Sequence, residues 1–119
     1  MKPDVGIKRI YEPPGPGDGA RVLVDRLWPR GVSKEAAALT LWLREIAPST
    51  ALRKAFGHDP AHWEAFVRDY RAELAGNAGA VATLRALAAK GRVTLLYGAR
   101  DPLHNQAAVL ADYLRAGAR

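Results

Sequence analysis

The chain has 119 residues, 49% hydrophobic and 25% charged, with a formal net charge of +6 at pH 7. That length supports one core able to fold unaided and leaves no room for a second, so residues 1–119 are expected to form one domain. Cysteine is absent, which excludes a disulfide framework, a thiolate nucleophile and a Cys-ligated zinc site.

The N-terminal stretch carries Lys2 and Lys8 but no apolar segment of signal-peptide length, and no later run approaches a membrane span. The expectation is a cytoplasmic protein with no membrane partner. Its cations are five lysines and thirteen arginines. Such a balance favours anionic partners and by itself does not choose among a small phosphorylated molecule, nucleic acid and an acidic protein surface. A compositional bias of the source genome toward Ala and Arg produces the same balance.

Val5 to Tyr11 reads as a partly exposed strand, followed by a loop over Glu12–Gly19, "EPPGPGDG". Arg21-Val22-Leu23-Val24-Asp25 is a short, nearly continuous apolar run rich in β-branched residues, the signature of a strand covered on both faces. Ser33 is placed to cap a short helix ending near Ala38. Leu39, Leu41 and Leu43 then alternate as in a strand, and Ser49 is placed to cap a helix carrying Leu52 and Phe56 up to Gly57.

From Pro60 to Ala75 the residues Trp63, Phe66, Val67, Tyr70 and Leu74 form one helical stripe. Asp59 is the expected cap, Pro60 the first helical position and Gly76 a left-handed stop. Asn77 is the expected cap of the next helix, with Val81, Leu84 and Leu87 on one face and Gly91 at its end. Val93 to Tyr97 repeats the doubly covered strand signature. Asp101-Pro102 is expected to open a last helix lined by Leu103, Ala107, Leu110 and Leu114. Strands separated by helices predict an α/β fold: three layers, a mainly parallel sheet, helices on both faces.

In such sheets, ligands bind beyond the carboxyl ends of the strands. Two stretches leave strands there, "DRLWPRG" (Asp25–Gly31) and "YGARDPLHN" (Tyr97–Asn105). If the strands are neighbours, Arg26, Arg30 and Arg100 would clamp a phosphate or carboxylate. Asp25 and Asp101 are the candidate acid/base groups. Tyr97, His104 and Asn105 would contact the neutral part of the ligand, and Trp28 is a stacking platform or a core anchor. Competing structural roles are equally open: Asp101 as a helix cap, Asp25 as an arginine's ion-pair partner. His58 is a candidate general acid because imidazole titrates near neutral pH. His58 and His62 are spaced like a helical metal pair, but Pro60 starts the helix and leaves His58 outside it, so no metal site is expected. No cofactor is named by the sequence. The phosphate-binding and hydrolase templates GxxxxGK[ST], GxGxxG, GxSxG and HExxH are absent.

Four stretches, "KRIYEP" (Lys8–Pro13), "DGARVLVDRLWPRG" (Asp18–Gly31), "EIAPSTALRKAFGHDPAHWEAFVRDYRAEL" (Glu45–Leu74) and "VTLLYGARDPLHNQAAVLADYL" (Val93–Leu114), resemble the YeaO-like branch of DUF 488, a family of small bacterial proteins. The resemblance implies a compact α/β domain and signature motifs that include Arg26, Trp28, Arg30, Tyr97 and Asn105. It implies no settled activity. Some members carry a transcriptional-regulator label, for which this sequence offers no DNA-reading element. The leading expectation is a module that binds, or binds and acts on, a small anionic metabolite at the strand ends. The alternatives are a non-catalytic module that binds nucleic acid or an acidic partner through its basic surface, and a protein-interaction domain in which the arginines are scaffold.

Overall fold

The computed structural model of the chain describes residues 3–116. Strands β1 (Val5–Arg9), β2 (Ala20–Leu23), β3 (Leu41–Trp42) and β4 (Val93–Tyr97) form a sheet in the order β1-β4-β2-β3, with every pairing parallel. β4 is central, with Val93 opposite Val5 of β1 and Ala20 of β2. All five of its residues are buried, which is why "VTLLY" is apolar without alternation.

Five helices complete the fold: α1 (Lys34–Ala37), α2 (Thr50–Phe56), α3 (Trp63–Ala75), α4 (Ala78–Lys90) and α5 (Gln106–Ala116). The sheet face bearing Val22, Val24, Val93, Leu95 and Tyr97 joins Phe66, Tyr70, Leu74, Leu84, Leu110 and Leu114 in the main core. Each such buried side chain contributes about 1.5–3 kcal/mol. The opposite face carries Leu23 and Leu96, which pack with Ile10 and Ala37 beneath Trp28, Val32, Leu39 and Trp42. Helices therefore cover both faces of this α/β domain, unequally: α2 to α5 on one, the short α1 and the chain around it on the other.

The capping residues set several boundaries as expected. Ser33 Oγ accepts the Ala36 N–H at 3.0 Å, Ser49 Oγ accepts that of Leu52 at 3.2 Å, and Gly57 closes α2 at φ 58°. Four expectations are corrected. The stretch Pro60–His62 is a 3-10 turn and the α-helix begins at Trp63, because the His62 N–H bonds back to Asp59. Gly76 sits at φ −86° and is not left-handed; its N–H returns to Ala72 and Glu73, and the chain turns straight into α4. Asn77 does not cap with its side chain, which donates to the Glu45 carbonyl at 2.8 Å. The last helix starts at Gln106, four residues beyond Pro102, because Asp101 closes a separate turn and Asn105 Oδ1 accepts the Ala108 N–H at 2.9 Å. Leu103 consequently lies off the helix, 73% exposed.

One buried network has no counterpart in the sequence reading. Arg21 is buried, with Nη1 on Asp18 Oδ2 at 2.5 Å and Nε and Nη2 on the Ala37 carbonyl. Lys8 Nζ takes the other Asp18 oxygen at 2.8 Å. These cations and the Gly15 N–H hold the Asp18 carboxyl at a pKa of about 2, and together they pin the loop before β2 to α1.

Candidate functional site

Because every strand runs the same way, the chain leaves β2, β3 and β4 at one edge. The segments after these strands enclose a cleft of about 780 Å³ lined from Asp25–Pro29, Ala47–His58 and Gly98–Gln106. That volume falls within the range of small-molecule pockets.

Asp25 stands where the apolar run of β2 ends. Its Oδ2 accepts the Gly98 N–H at 2.9 Å and its Oδ1 accepts Gln106 Nε2 at 2.5 Å. One carboxylate thus joins the exit of β2 to the exit of β4 and the first turn of α5. Burial pushes its pKa above the ordinary carboxylate value, against the opposing pull of the Gly98 N–H, the Gln106 amide and the Arg53 charge. A Cβ on residue 98 would stand 2.8 Å from Asp25 Oδ2, so this approach needs glycine.

Arg26 lines the cleft, but its Nη2 donates to the Ala47 carbonyl at 3.0 Å, with longer contacts to Pro48. It holds the turn that leads into α2. Glu73 of α3 secures the same turn from the other side, accepting the Ser49 N–H at 2.9 Å and the Ser49 hydroxyl at 2.6 Å. Trp28 lines the cleft as well; its Nε1 donates to the Val32 carbonyl at 2.7 Å and its ring meets Trp42 edge to face. Trp42 in turn donates to the Asp25 carbonyl at 2.8 Å, so the tryptophan pair braces the β2 exit.

Arg100 is exposed on the wall of the cleft, and its side chain makes no hydrogen bond or ion pair among the described residues. Asp101 Oδ1 accepts the N–H groups of Leu103 and His104, and Oδ2 meets His104 Nδ1 at 2.8 Å; these donors hold its pKa below the ordinary value. His104 faces the cleft with its ring edge-on to Trp63. Asn105 lines it too, but is 2% exposed, with both ends of its amide occupied by Asp101 O and the Ala108 N–H. His58 lies at the mouth, exposed and at φ 58°, near the Phe56 ring.

Two of the residues expected at the strand ends stand elsewhere. Tyr97 points into the main core, 3% exposed, and burial raises its phenol pKa. The Arg30 side chain is exposed outside the cleft, and its carbonyl accepts the Tyr11 hydroxyl at 2.9 Å. The expected three-arginine clamp therefore does not form: of its members, Arg100 faces the cleft with an unengaged guanidinium and Arg26 is tied to backbone. The structure adds Arg53 and Lys54, from the last turn of α2, and Gln106. The Ser49 cap and Leu52/Phe56 spacing reveal α2, but no local signal shows that its last turn overhangs the sheet edge.

Arg26, Arg53, Lys54 and Arg100 line the cleft together with Asp25 and Asp101, a net positive surround, and the buried Phe56 and Phe66 border it. Among the described residues no group of three or more His, Asp or Glu is arranged to hold a metal ion, and no helix is long and apolar enough to cross a membrane.

The model of a family described as "Inactive DUF488-N3 subclade" matches residues 4–118. The chain is 46% identical over 113 residues to the uncharacterized protein YeaO of Escherichia coli K12, covering 95% of this chain and 98% of that protein. It is 40% identical over 110 residues to the uncharacterized proteins Mb3100c of Mycobacterium bovis and Rv3073c of Mycobacterium tuberculosis H37Rv, covering 92% of each chain. No solved structure matches it. Across nearly its whole length, then, the chain belongs to the YeaO-like DUF488 family.

Proposed function

We propose that the cleft binds a small anionic metabolite, one bearing a phosphate or carboxylate, and that binding rather than turnover is its activity. The observation that carries this reading is the set of unengaged cations at the sheet edge. Arg53, Lys54 and Arg100 line the cleft, are exposed, and make no side-chain hydrogen bond or ion pair among the described residues. Cations that brace a fold, such as Arg21 and Arg26 here, are bonded to carbonyls or carboxylates. Cations left free around a concavity are available to an anion.

Binding without turnover fits the state of the candidate acid/base groups. Both Asp25 oxygens and Asp101 Oδ1 are engaged by backbone or amide donors, and Asp101 Oδ2 by His104. His58 is on the exposed mouth. The family description as inactive agrees with this reading.

A thermal-shift screen of phosphates, sugar phosphates, nucleotides and carboxylates tests it. A ligand at about 100 times its dissociation constant stabilises the fold by about 2.7 kcal/mol, a shift of several degrees for a chain of this length. The expected result is at least one such anion whose shift is lost in Arg53→Ala/Arg100→Ala. Binding only to nucleic acid, with a steep salt dependence spread over many surface arginines, would instead favour the basic-surface alternative.

A further inference from the structure

Resting on the anion-binding reading above, we infer that His104 is a direct contact for the anion and takes up a proton as the anion binds: its Nε2 donates to the anion while the Asp101 carboxylate carries the countercharge at Nδ1.

The argument starts from the two nitrogens of one ring. Asp101 Oδ2 lies 2.8 Å from His104 Nδ1, and Asp101 Oδ1 is occupied by the Leu103 and His104 N–H groups. These donors hold Asp101 below the ordinary carboxylate pKa, and an ionised carboxylate only accepts, so Nδ1 carries the hydrogen. In the neutral ring Nε2 is then a bare lone pair. It has no partner among the described residues, and no unpartnered side-chain nitrogen or oxygen among them is buried, so Nε2 is open to solvent in a ring that lines the cleft. The Trp63 ring packs against this imidazole, centroids 5.1 Å apart, and steadies it from a second side.

A lone pair repels an anion, whereas a proton on Nε2 makes it a charged donor. Proton and anion therefore favour each other at this ring. The surrounding charges strengthen that linkage. Arg26, Arg53, Lys54 and Arg100 line the same cleft, so a proton on His104 adds a fifth cation among them, and a bound anion relieves the repulsion. Asp25 and Asp101 favour the added charge from the other direction. His58 also lines the cleft, but no carboxylate among the described residues pairs with its ring, so it lacks the countercharge that His104 has. A phosphate monoester in its hydrogen-bearing form delivers the proton to Nε2 itself; a sulfate or carboxylate takes it from solvent.

The experiment is calorimetric titration of the intact chain with sulfate, and with acetate as the carboxylate probe, in two buffers of different ionisation enthalpy. The difference counts the protons taken up. The expected result is net uptake near neutral pH and an affinity about tenfold higher at pH of about 5 than of about 8, the range over which imidazole titrates and the worth of one charge-assisted hydrogen bond. His104→Gln should remove most of that uptake and leave only the share of Asp25. Asp101→Asn, whose amide oxygen still accepts the turn's N–H groups, should reduce it. Ring-nitrogen NMR of the unaltered chain provides a readout independent of any variant: His104 Nε2 should move from its unprotonated toward its protonated position when sulfate is added near neutral pH. Anion binding without proton uptake, uptake undiminished in His104→Gln, or an unmoved Nε2 resonance overturns the role of His104 and leaves anion binding standing. Full uptake in Asp101→Asn overturns the countercharge. If neither probe binds anywhere in that range, the anion-binding reading falls, and this inference with it.

Discussion

Asp25 accepts the Gly98 N–H at 2.9 Å, so a side chain at the end of β2 fixes the backbone at the end of β4. Gly98→Ala would put a methyl group against that carboxylate. The expected cost is about 1–3 kcal/mol, from overpacking and a disturbed, partly buried hydrogen bond. Urea denaturation measures it, and anion binding should weaken in the same variant.

Asp25 also predicts a pH dependence. Burial raises its folded-state pKa. Protonation removes a negative charge from a cationic cleft, so affinity for sulfate, which does not titrate in this range, should increase as pH falls through that pKa. The sign for stability is the same: a carboxyl with a raised folded pKa favours the folded state at low pH and loses that contribution as pH rises. Carboxyl-carbon NMR of Asp25 locates the titration.

Asp18 behaves oppositely. Its pKa of about 2 lies below the ordinary 3.8, so its contribution is fully present above pH 5 and is lost as pH falls toward 2. That contribution is about 2 kcal/mol. Arg21→Met should weaken the acid limb of the stability curve only in part, because Lys8 and the Gly15 N–H stay on the Asp18 carboxylate, and should cost about 1–3 kcal/mol at neutral pH through the lost bonds to Asp18 and to the Ala37 carbonyl.

Asn105 is the cap of α5, with its amide satisfied at both ends. Asn105→Ala should therefore cost about 1–2 kcal/mol of stability. At ligand concentrations that saturate both proteins, the thermal shift should be retained, which distinguishes a cap from a ligand contact.

The strands were legible because β2 and β4 are covered on both faces and carry that burial as uninterrupted apolar runs. α3 was legible because Phe66, Tyr70 and Leu74 recur at helical spacing. The strand-end location of the cleft followed from parallel topology, and Asp25, Arg100 and His104 were found with it. What could not be read was the direction of side chains leaving a loop. Tyr97 continues the alternation of β4 into the core, whereas Arg30 sits past a turn that carries it outside. Arg53 and Lys54 are ordinary helix-surface residues in the sequence, and their proximity to Asp25 depends on the Ala47–Pro48 turn held by Arg26. The Arg21–Asp18 pair lay hidden for a related reason, since an arginine at a strand start reads as solvated until its partner is known.

The central claim, that the strand-end cleft is where an anion binds, is tested most directly by backbone-amide NMR during titration with nucleoside monophosphate. The account predicts saturable shifts concentrated at Arg53–Phe56 and Gly98–Gln106, greatly reduced in Arg53→Ala/Arg100→Ala. Shifts spread over Arg68, Arg71 and Arg85 of α3 and α4, or none at ligand concentrations of several millimolar, would contradict it.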